Sequence, residues 1–295
     1  QYLNYSNETL PHKPSLLMLV SITFINCTIR LEYVNITFSY CKVINSKFQV
    51  TGQHNEIIKF KSLCIENLFM AKIPKFNFIE RYKRVFIINC KILSTFSLKW
   101  VEYIAILQSS LEDPRMQHFK RNQFKFVPFL KIQNSHTVFI NKSYFQNLFM
   151  VQINKVFHLQ VNSSTFTKCI CALSIKGKSF LNSIIYITKT QFLENLSCMN
   201  QASVSFIFTS AAERPTYSKH SSIFIRLIGA IFKNSGSIKS GQGGAFSIVN
   251  LVKDASVLIQ KHTSLNITCH IKSSLFINNT SAQQGGAVRI SNIRG

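Results

Sequence analysis

The segment Phe232–Phe246, FKNSGSIKSGQGGAF, returns 44 residues later as Phe276–Val288, FINNTSAQQGGAV. Each copy runs Phe, then Asn, then a polar stretch, then Gly-Gly-Ala and an apolar residue, in the same order. A unit repeated within a chain of little helical periodicity points to a solenoid, in which equivalent positions of successive coils lie on one another. Upstream, runs such as SITFINCTI, VNITFSYCKV and RVFIINCKI alternate polar with apolar residues and are rich in Val, Ile, Thr and Phe, as β-strands are. The breaks between them hold almost none of the Asn-Gly or Asp-Gly pairs that close tight hairpins. Short strands without hairpin turns are better joined as a coil than as a meander.

The expected fold is all-β: a right-handed parallel β-helix, a single-stranded solenoid of about 22–25 residues per coil. Phe residues mark the coils at Phe48, Phe69, Phe96, Phe119 or Phe124, Phe145, Phe166 and Phe192, then at Phe232 and Phe276. Each of the last two gaps should hold a further coil or an insertion. No Pro-, Gly- or Ser-rich linker divides the chain, so residues 1–295 are expected to form one elongated domain, a fragment of a longer protein. Two stretches fit no strand and are expected to protrude as loops: about 107–121, which contains Asp113-Pro114, and about 209–222, which contains Pro215.

Phe is followed two or three places later by Asn at Phe24 and Asn26, Phe86 and Asn89, Phe119 and Asn122, Phe139 and Asn141, Phe145 and Asn147, Phe180 and Asn182, Phe192 and Asn195, Phe232 and Asn234, and Phe276 with Asn278 and Asn279. The expected cause is stacking. An inward Phe lies on the Phe of the next coil, while Asn at the bend tolerates a left-handed backbone and bonds its equivalents above and below. Gly243-Gly244-Ala245 and Gly285-Gly286-Ala287 are read the same way: two glycines allow a bend, and a small Ala points inward where the coil is narrow. Neither copy has the spacing of a phosphate-cradling loop.

Phe-x-x-Asn combined with Gly-Gly-Ala and an apolar residue, here Phe246 and Val288, resembles the paired repeat of chlamydial polymorphic outer membrane proteins and of similar pectin-lyase-like β-helix proteins. The resemblance covers residues 232–288. It implies a passenger-type parallel β-helix displayed on a cell surface and used for adhesion.

A formal net charge of +23, from 34 Lys and Arg against 11 Asp and Glu, either reflects lysines coating the coils or favours anionic partners such as sulfated glycans. Lys dominates over Arg and no nucleic-acid-binding motif spacing occurs, so no specific nucleic-acid partner is expected. The candidate contacts for an anionic ligand are Arg81, Lys83 and Arg84, and Lys120, Arg121 and Lys125 with Phe124 and Phe126 between them. The longest apolar run, Leu16–Ile25, is about half the length of a bilayer span, so no membrane span is expected within the chain.

The eight Cys include no C-x-x-C pair, which argues against a structural zinc site. Steps such as Cys41 to Cys64 to Cys90 and Cys171 to Cys198 equal one coil. Stacked buried thiols and disulfides of an oxidising compartment are both open. Ten Asn-x-Ser/Thr sequons occur, at Asn4, Asn7, Asn26, Asn35, Asn141, Asn162, Asn195, Asn266, Asn278 and Asn279. Asn4, Asn7 and Asn266 stand outside the Phe-Asn pairs and are the glycosylation candidates. Carbohydrate-cutting β-helices need carboxylates converging on one face, yet Asp113 and Asp254 are the only Asp and the Glu are scattered.

The expected function is therefore a non-enzymatic scaffold for adhesion or ligand contact. It would be extracellular or on the cell surface, as the ectodomain of a longer secreted or membrane-anchored protein. Its partners would be anionic glycans or other surface proteins, and no cofactor or metal is expected. The alternatives are a pectin-lyase-like carbohydrate-active enzyme and a purely structural stalk.

Overall fold

The structure is a computed structural model that describes residues 2–5, 16–31, 35–50, 55–66, 77–114, 116, 127–178, 182–197, 202–210, 221–237, 244–252, 265–281 and 286–291. The chain packs as two compact units, Gln1–Phe149 and Met150–Gly295. Each is built of three stacks of parallel strands, and no α-helix occurs among the described residues.

In the first unit the first stack holds β1 (Tyr2–Tyr5), β4 (Thr28–Leu31), β7 (Lys47–Val50), β10 (Asn77–Glu80), β13 (Phe96–Lys99) and the start of β16 (Leu130–Asn141). The second holds β2 (Leu16–Val20), β5 (Asn35–Ser39), β8 (Asn55–Lys61), β11 (Tyr82–Ile88), β14 (Tyr103–Leu107) and the end of β16. The third holds the three-residue strands β3 (Thr23–Ile25), β6 (Lys42–Ile44), β9 (Cys64–Glu66), β12 (Lys91–Leu93), β15 (Ser110–Glu112) and β17 (Tyr144–Gln146). Up to β13 each strand pairs in parallel with the strand three further along the chain. Parallel neighbours cannot be joined by a hairpin, so this order is that of a coil.

The second unit repeats the plan. Its first stack is β20 (Ile170–Lys178), β23 (Val204–Ser210), β27 (Phe246–Val252) and β31 (Val288–Ser291). Its second is the end of β18 (Phe149–Asn162), then β21 (Ser183–Thr188), β24 (Ser221–Ile228) and β28 (Leu265–Lys272). Its third is β19 (Thr165–Thr167), β22 (Gln191–Leu193), β25 (Ile231–Lys233) and β29 (Leu275–Ile277). A further short pair joins β26 (Gly236–Ser237) to β30 (Thr280–Ser281). The fold is the parallel β-helix that the alternation of the sequence predicts.

Register measures the coil directly. Along the third stack Phe24, Val43, Ile65, Ile92, Leu111 and Phe145 are successive partners, giving steps of 19, 22, 27, 19 and 34 residues. Phe166, Phe192, Phe232 and Phe276 follow one another at 26, 40 and 44. The long gaps before Phe232 and Phe276 are therefore insertions within single coils, not extra coils. Phe48 and Phe96 belong to the first stack, where Phe48 pairs with Ile29 and Phe96 with Leu130. Expected coil markers thus came from two different faces. Phe69, Phe119 and Phe124 lie outside the described residues.

Parts of both expected loops are strand. Leu107 closes β14, and Ser110–Glu112 form β15 because Leu111 is an inward residue, buried between its partners Ile92 and Phe145. Likewise Thr209 and Ser210 finish β23, and Ser221 and Ser222 open β24. Residues 117–126 and 211–220 lie outside the described residues.

Inward Phe side chains form the core of the second unit. The ring of Phe192 stacks on Phe166 at 5.0 Å and on Phe232 at 4.8 Å, and Phe232 on Phe276 at 4.7 Å with planes 1° apart. Strand spacing of about 4.8 Å matches the offset-stacking distance of aromatic rings, so a Phe column fills the axis without voids. The two repeat copies lie on one another in register. In the first unit aliphatic residues share the task, with Phe38 stacked on Phe60 at 5.3 Å.

Bends flank the strands of the third stack, and most of them hold a left-handed residue, those after β12 and β15 being exceptions. Two residues before the strand stand Ser21, Tyr40, Ser62, Asn89, Gln108, Lys142, Ser163, Lys189, Gly229 and Ser273, all at φ between 47° and 60°. After it stand Asn26, Asn45, Asn147, Lys168, Glu194, Asn234 and Asn278. A left-handed residue with a Cβ costs about 1–2 kcal/mol. That cost is offset by ladder bonds that run unbroken around the corner, such as Ser62 N–H to the Ile88 carbonyl at 2.9 Å and Asn234 N–H to the Ile277 carbonyl at 2.9 Å. The corners therefore need few glycines, and the chain has only ten.

The residue after the left-handed one is small or polar in most bends, with Ile22, Leu63 and Leu148 as apolar exceptions. Cys41, Cys90, Ser109, Ser143, Ser164 and Thr190 occupy the first bend, and each donates to the carbonyl two residues earlier, as Ser109 Oγ does to Leu107 at 2.8 Å and Cys90 Sγ to Ile88 at 3.3 Å. Cys64 is one residue further on, at the start of β9, so it is not in the column with Cys41 and Cys90; Leu63 is. Six cysteines, Cys27, Cys41, Cys64, Cys90, Cys169 and Cys269, are free thiols. Cys171 is disulfide-bonded to a partner outside the described residues.

Candidate functional site

The repeat residues separate into two roles that the sequence had merged. In the bend after the third stack, Asn195 and Asn279 stand three residues after Phe192 and Phe276 and point inward. Asn195 is fully buried; its Oδ1 accepts from Cys169 N–H at 2.9 Å and its Nδ2 donates to the Phe166 carbonyl at 2.9 Å. Asn279 makes the same two bonds to Ser235 N–H and the Phe232 carbonyl, at 2.9 and 3.0 Å. The ladder thus joins side chain to backbone of the preceding coil, not Asn to Asn. Asn234 is different: it is the exposed left-handed residue, and Ser235 fills the inward place instead. Phe86 and Phe139 are not column members either. Each alternates with buried neighbours, Val85 and Ile87 or Val138 and Ile140, which turns both rings to the outer face.

Close approach explains Gly244 better than a bend does. A Cβ there would overlap the backbone carbonyls of Thr280 and Gly286 in the next coil, whereas its φ needs no glycine. Ala245 is fully buried, and Ala287 is half-buried with its carbonyl accepting from Phe246 N–H at 3.0 Å. Gly286 would bring a Cβ within 3.2 Å of the Asn279 carbonyl. Gly243 and Gly285 lie outside the described residues.

Of the anionic-ligand candidates, Arg81, Lys83 and Arg84 are exposed, while Lys120, Arg121 and Lys125 lie outside the described residues. Arg81 sits at a left-handed corner (φ 60°) just before β11, which carries Lys83 and Arg84. Register extends this group across the second stack. Lys59 faces Phe86, Lys61 faces Ile88, and Arg84 lies between Ile57 and Tyr103. The Phe86 and Tyr103 rings are 5.8 Å apart. Three carboxylates lie in or next to these strands: Glu56 of β8 stands in register with Lys83, Glu80 pairs in register with Lys99, and Glu102, whose N–H bonds the Tyr82 carbonyl at 3.2 Å, lies beside Lys83. No carboxylate stands opposite Lys59, Lys61 or Arg84. Lys99 also lies 5.4 Å from the centre of the exposed Trp100 ring.

The second unit carries an outer aromatic row that sequence reasoning missed. His158, Tyr186, Phe224 and His270 zigzag over four successive strands at 6.0, 6.2 and 5.2 Å, with exposed Arg226 in register between Tyr186 and His270. Parity was the available signal, since each of these residues alternates with a more buried residue of the same strand. Glu194 is the only carboxylate among the described residues of this unit, 4.0 Å from Lys168.

Glycosylation candidate Asn266 is exposed in β28. Asn4 lies in β1 opposite Arg30, and Asn7 is outside the described residues. Among the described residues no three His, Cys, Asp or Glu side chains gather closely enough to hold a metal ion, and no helix is long and apolar enough to cross a membrane. Compared with known proteins, the chain matches no family model, no curated protein and no solved structure. Its class is therefore carried by the coordinates alone: a parallel β-helix protein.

Proposed function

We propose that this β-helix is an extracellular or cell-surface scaffold that holds anionic glycans on the outer face of β8, β11 and β14. One observation carries the reading: Lys59 and Lys61 lie two residues apart on the outer side of β8, and Arg84 stands on the neighbouring β11 in register with Ile57, with Arg81 at the corner and no carboxylate in register opposite Lys59, Lys61 or Arg84. A polyanion with charges repeated along its length gains from cations fixed on one strand face, because the backbone that spaces them needs no ordering on binding. Phe86 and Tyr103 add apolar surface against which sugar rings can rest. The resemblance of the Phe232–Val288 repeat to displayed passenger β-helices, and a disulfide at Cys171, are in keeping with an oxidising compartment outside the cell.

Heparin chromatography tests the proposal. The protein is expected to elute well above physiological salt, and the double variant Lys61→Glu, Arg84→Glu at distinctly lower salt than the wild type. A control reversal at Lys168, in the second unit, should shift elution less. Elution of the wild type at or below physiological salt, or equal shifts for both reversals, overturns the assigned face.

A further inference from the structure

Among the described residues, the bend geometry separates sequons by the direction in which the Asn side chain points. Asn26 and Asn278 are left-handed bend residues, at φ 52° and 49°, and both are exposed. Lys168, Glu194 and Asn234 at the same bend of other coils are exposed too, while Asn45 and Asn147 there are half-buried. Asn266 is exposed on β28. One residue after the bend position the side chain turns inward. Asn195 there has no exposed surface, and in both Asn195 and Asn279 the amide nitrogen Nδ2 already donates to a Phe carbonyl of the preceding coil. Asn35 and Asn162 are half-buried and bound across coils through Oδ1, to Ile57 N–H at 3.0 Å and Thr188 Oγ1 at 2.8 Å.

From this we propose that Asn26, Asn266 and Asn278 are N-glycan acceptors and that Asn195 and Asn279 are not. In the transfer the acceptor Nδ2 attacks the anomeric carbon of an oligosaccharide carried on a polyprenyl pyrophosphate. The N–C bond forms, the bond from that carbon to the pyrophosphate oxygen breaks, the lipid pyrophosphate leaves with the electron pair, and Nδ2 gives up one proton. The bulky product needs Nδ2 in solvent. At Asn26 and Asn278 the sugar projects from the corner and leaves the inter-coil bonds made by the backbone intact. At Asn195 it would have to occupy the Phe column. The inference rests on the reading of the chain as one that passes through the secretory pathway.

The overlapping sequons at Asn278 and Asn279 give the test. Thr280→Ala destroys the first and keeps the second, which uses Ser281; Ser281→Ala does the reverse. The chain is fused to a secretion signal, expressed in a eukaryotic host, and its protease-resistant folded fraction is mapped by mass spectrometry after enzymatic glycan release in heavy-oxygen water. Thr280→Ala is expected to lose one glycan and Ser281→Ala none, and Thr28→Ala to lose the glycan of Asn26. A glycan on Asn195 or Asn279 in folded protein, or none at the three exposed sites, overturns the assignment. If the signal-fused chain is glycosylated as expected while protein isolated from its source cells carries no glycan, the secretory reading fails and the acceptor assignment stands.

Discussion

A single position in each corner carries much of this fold's specificity. Asn195 satisfies one N–H and one carbonyl of the coil before it, both buried. Asn195→Ala would strand them, at about 1–3 kcal/mol for each unsatisfied group, and the urea midpoint of unfolding is expected to fall accordingly. Cys90 is a second case. Burial pushes its thiol up to about 11 from an ordinary 9.0, outweighing the backbone bonds that pull it down. Below pH 9 folded and unfolded states both keep the proton, and the stabilisation is complete. As pH rises from 9 to 11 the unfolded chain ionises first, so stability declines through that window. Buried Tyr82 and Cys269 are shifted in the same direction by burial. Cys90→Ser places in the column the residue that Ser109 already supplies one coil later. Its urea midpoint at pH 7.5 is expected to match the wild type, with a shallower loss at pH 10.

Strands three residues long hold together because their one inward side chain meets its like on either side. Phe192 is buried between the rings of Phe166 and Phe232, and Phe192→Ala is expected to cost about 3–5 kcal/mol. Phe276 is only half-buried at the last described coil, so Phe276→Ala should cost clearly less in the same denaturation experiment. Gly244 tests the approach between neighbouring strands. Gly244→Ala drives a methyl group into two backbone carbonyls that no rotamer change can move, whereas at Gly177 the obstacle is the Phe208 ring edge at 2.9 Å. Hydrogen exchange should therefore show loss of protection in β27 and β31 for the first variant and a milder, local effect for Gly177→Ala.

Over the whole molecule, each coil gains only from its neighbours, so stability is expected to fade toward the outermost coils. In the second unit Leu275 is 54% and Ile290 54% exposed, while Phe192 and Phe206 are fully buried. Amide exchange is expected to be fastest in β29 and β31 and slowest in β22 and β23; uniform protection would contradict nearest-neighbour stacking. Charge follows another logic. Within the net charge of +23, it is the pairing of β8 with β11 that brings Lys59, Lys61 and Arg84 onto one outer face, the surface proposed for a polyanion.

Alternation of polar and apolar residues, the missing hairpin turns and the Phe232–Val288 repeat were enough to specify a parallel β-helix, because those features act within one coil or between identical coils. Which Phe share a column was not legible. Phe48 and Phe145 have the same local pattern but lie on different faces, and insertions of unequal length hide the register. The same holds for Asn234 and Asn279, one residue apart in the repeat: a left-handed corner turns one outward and the next inward. Composition determined that the protein is basic and coiled; the register between coils decided which cations meet, which cysteines are buried and which Asn face water, because those neighbours are 19 to 44 residues apart in the chain.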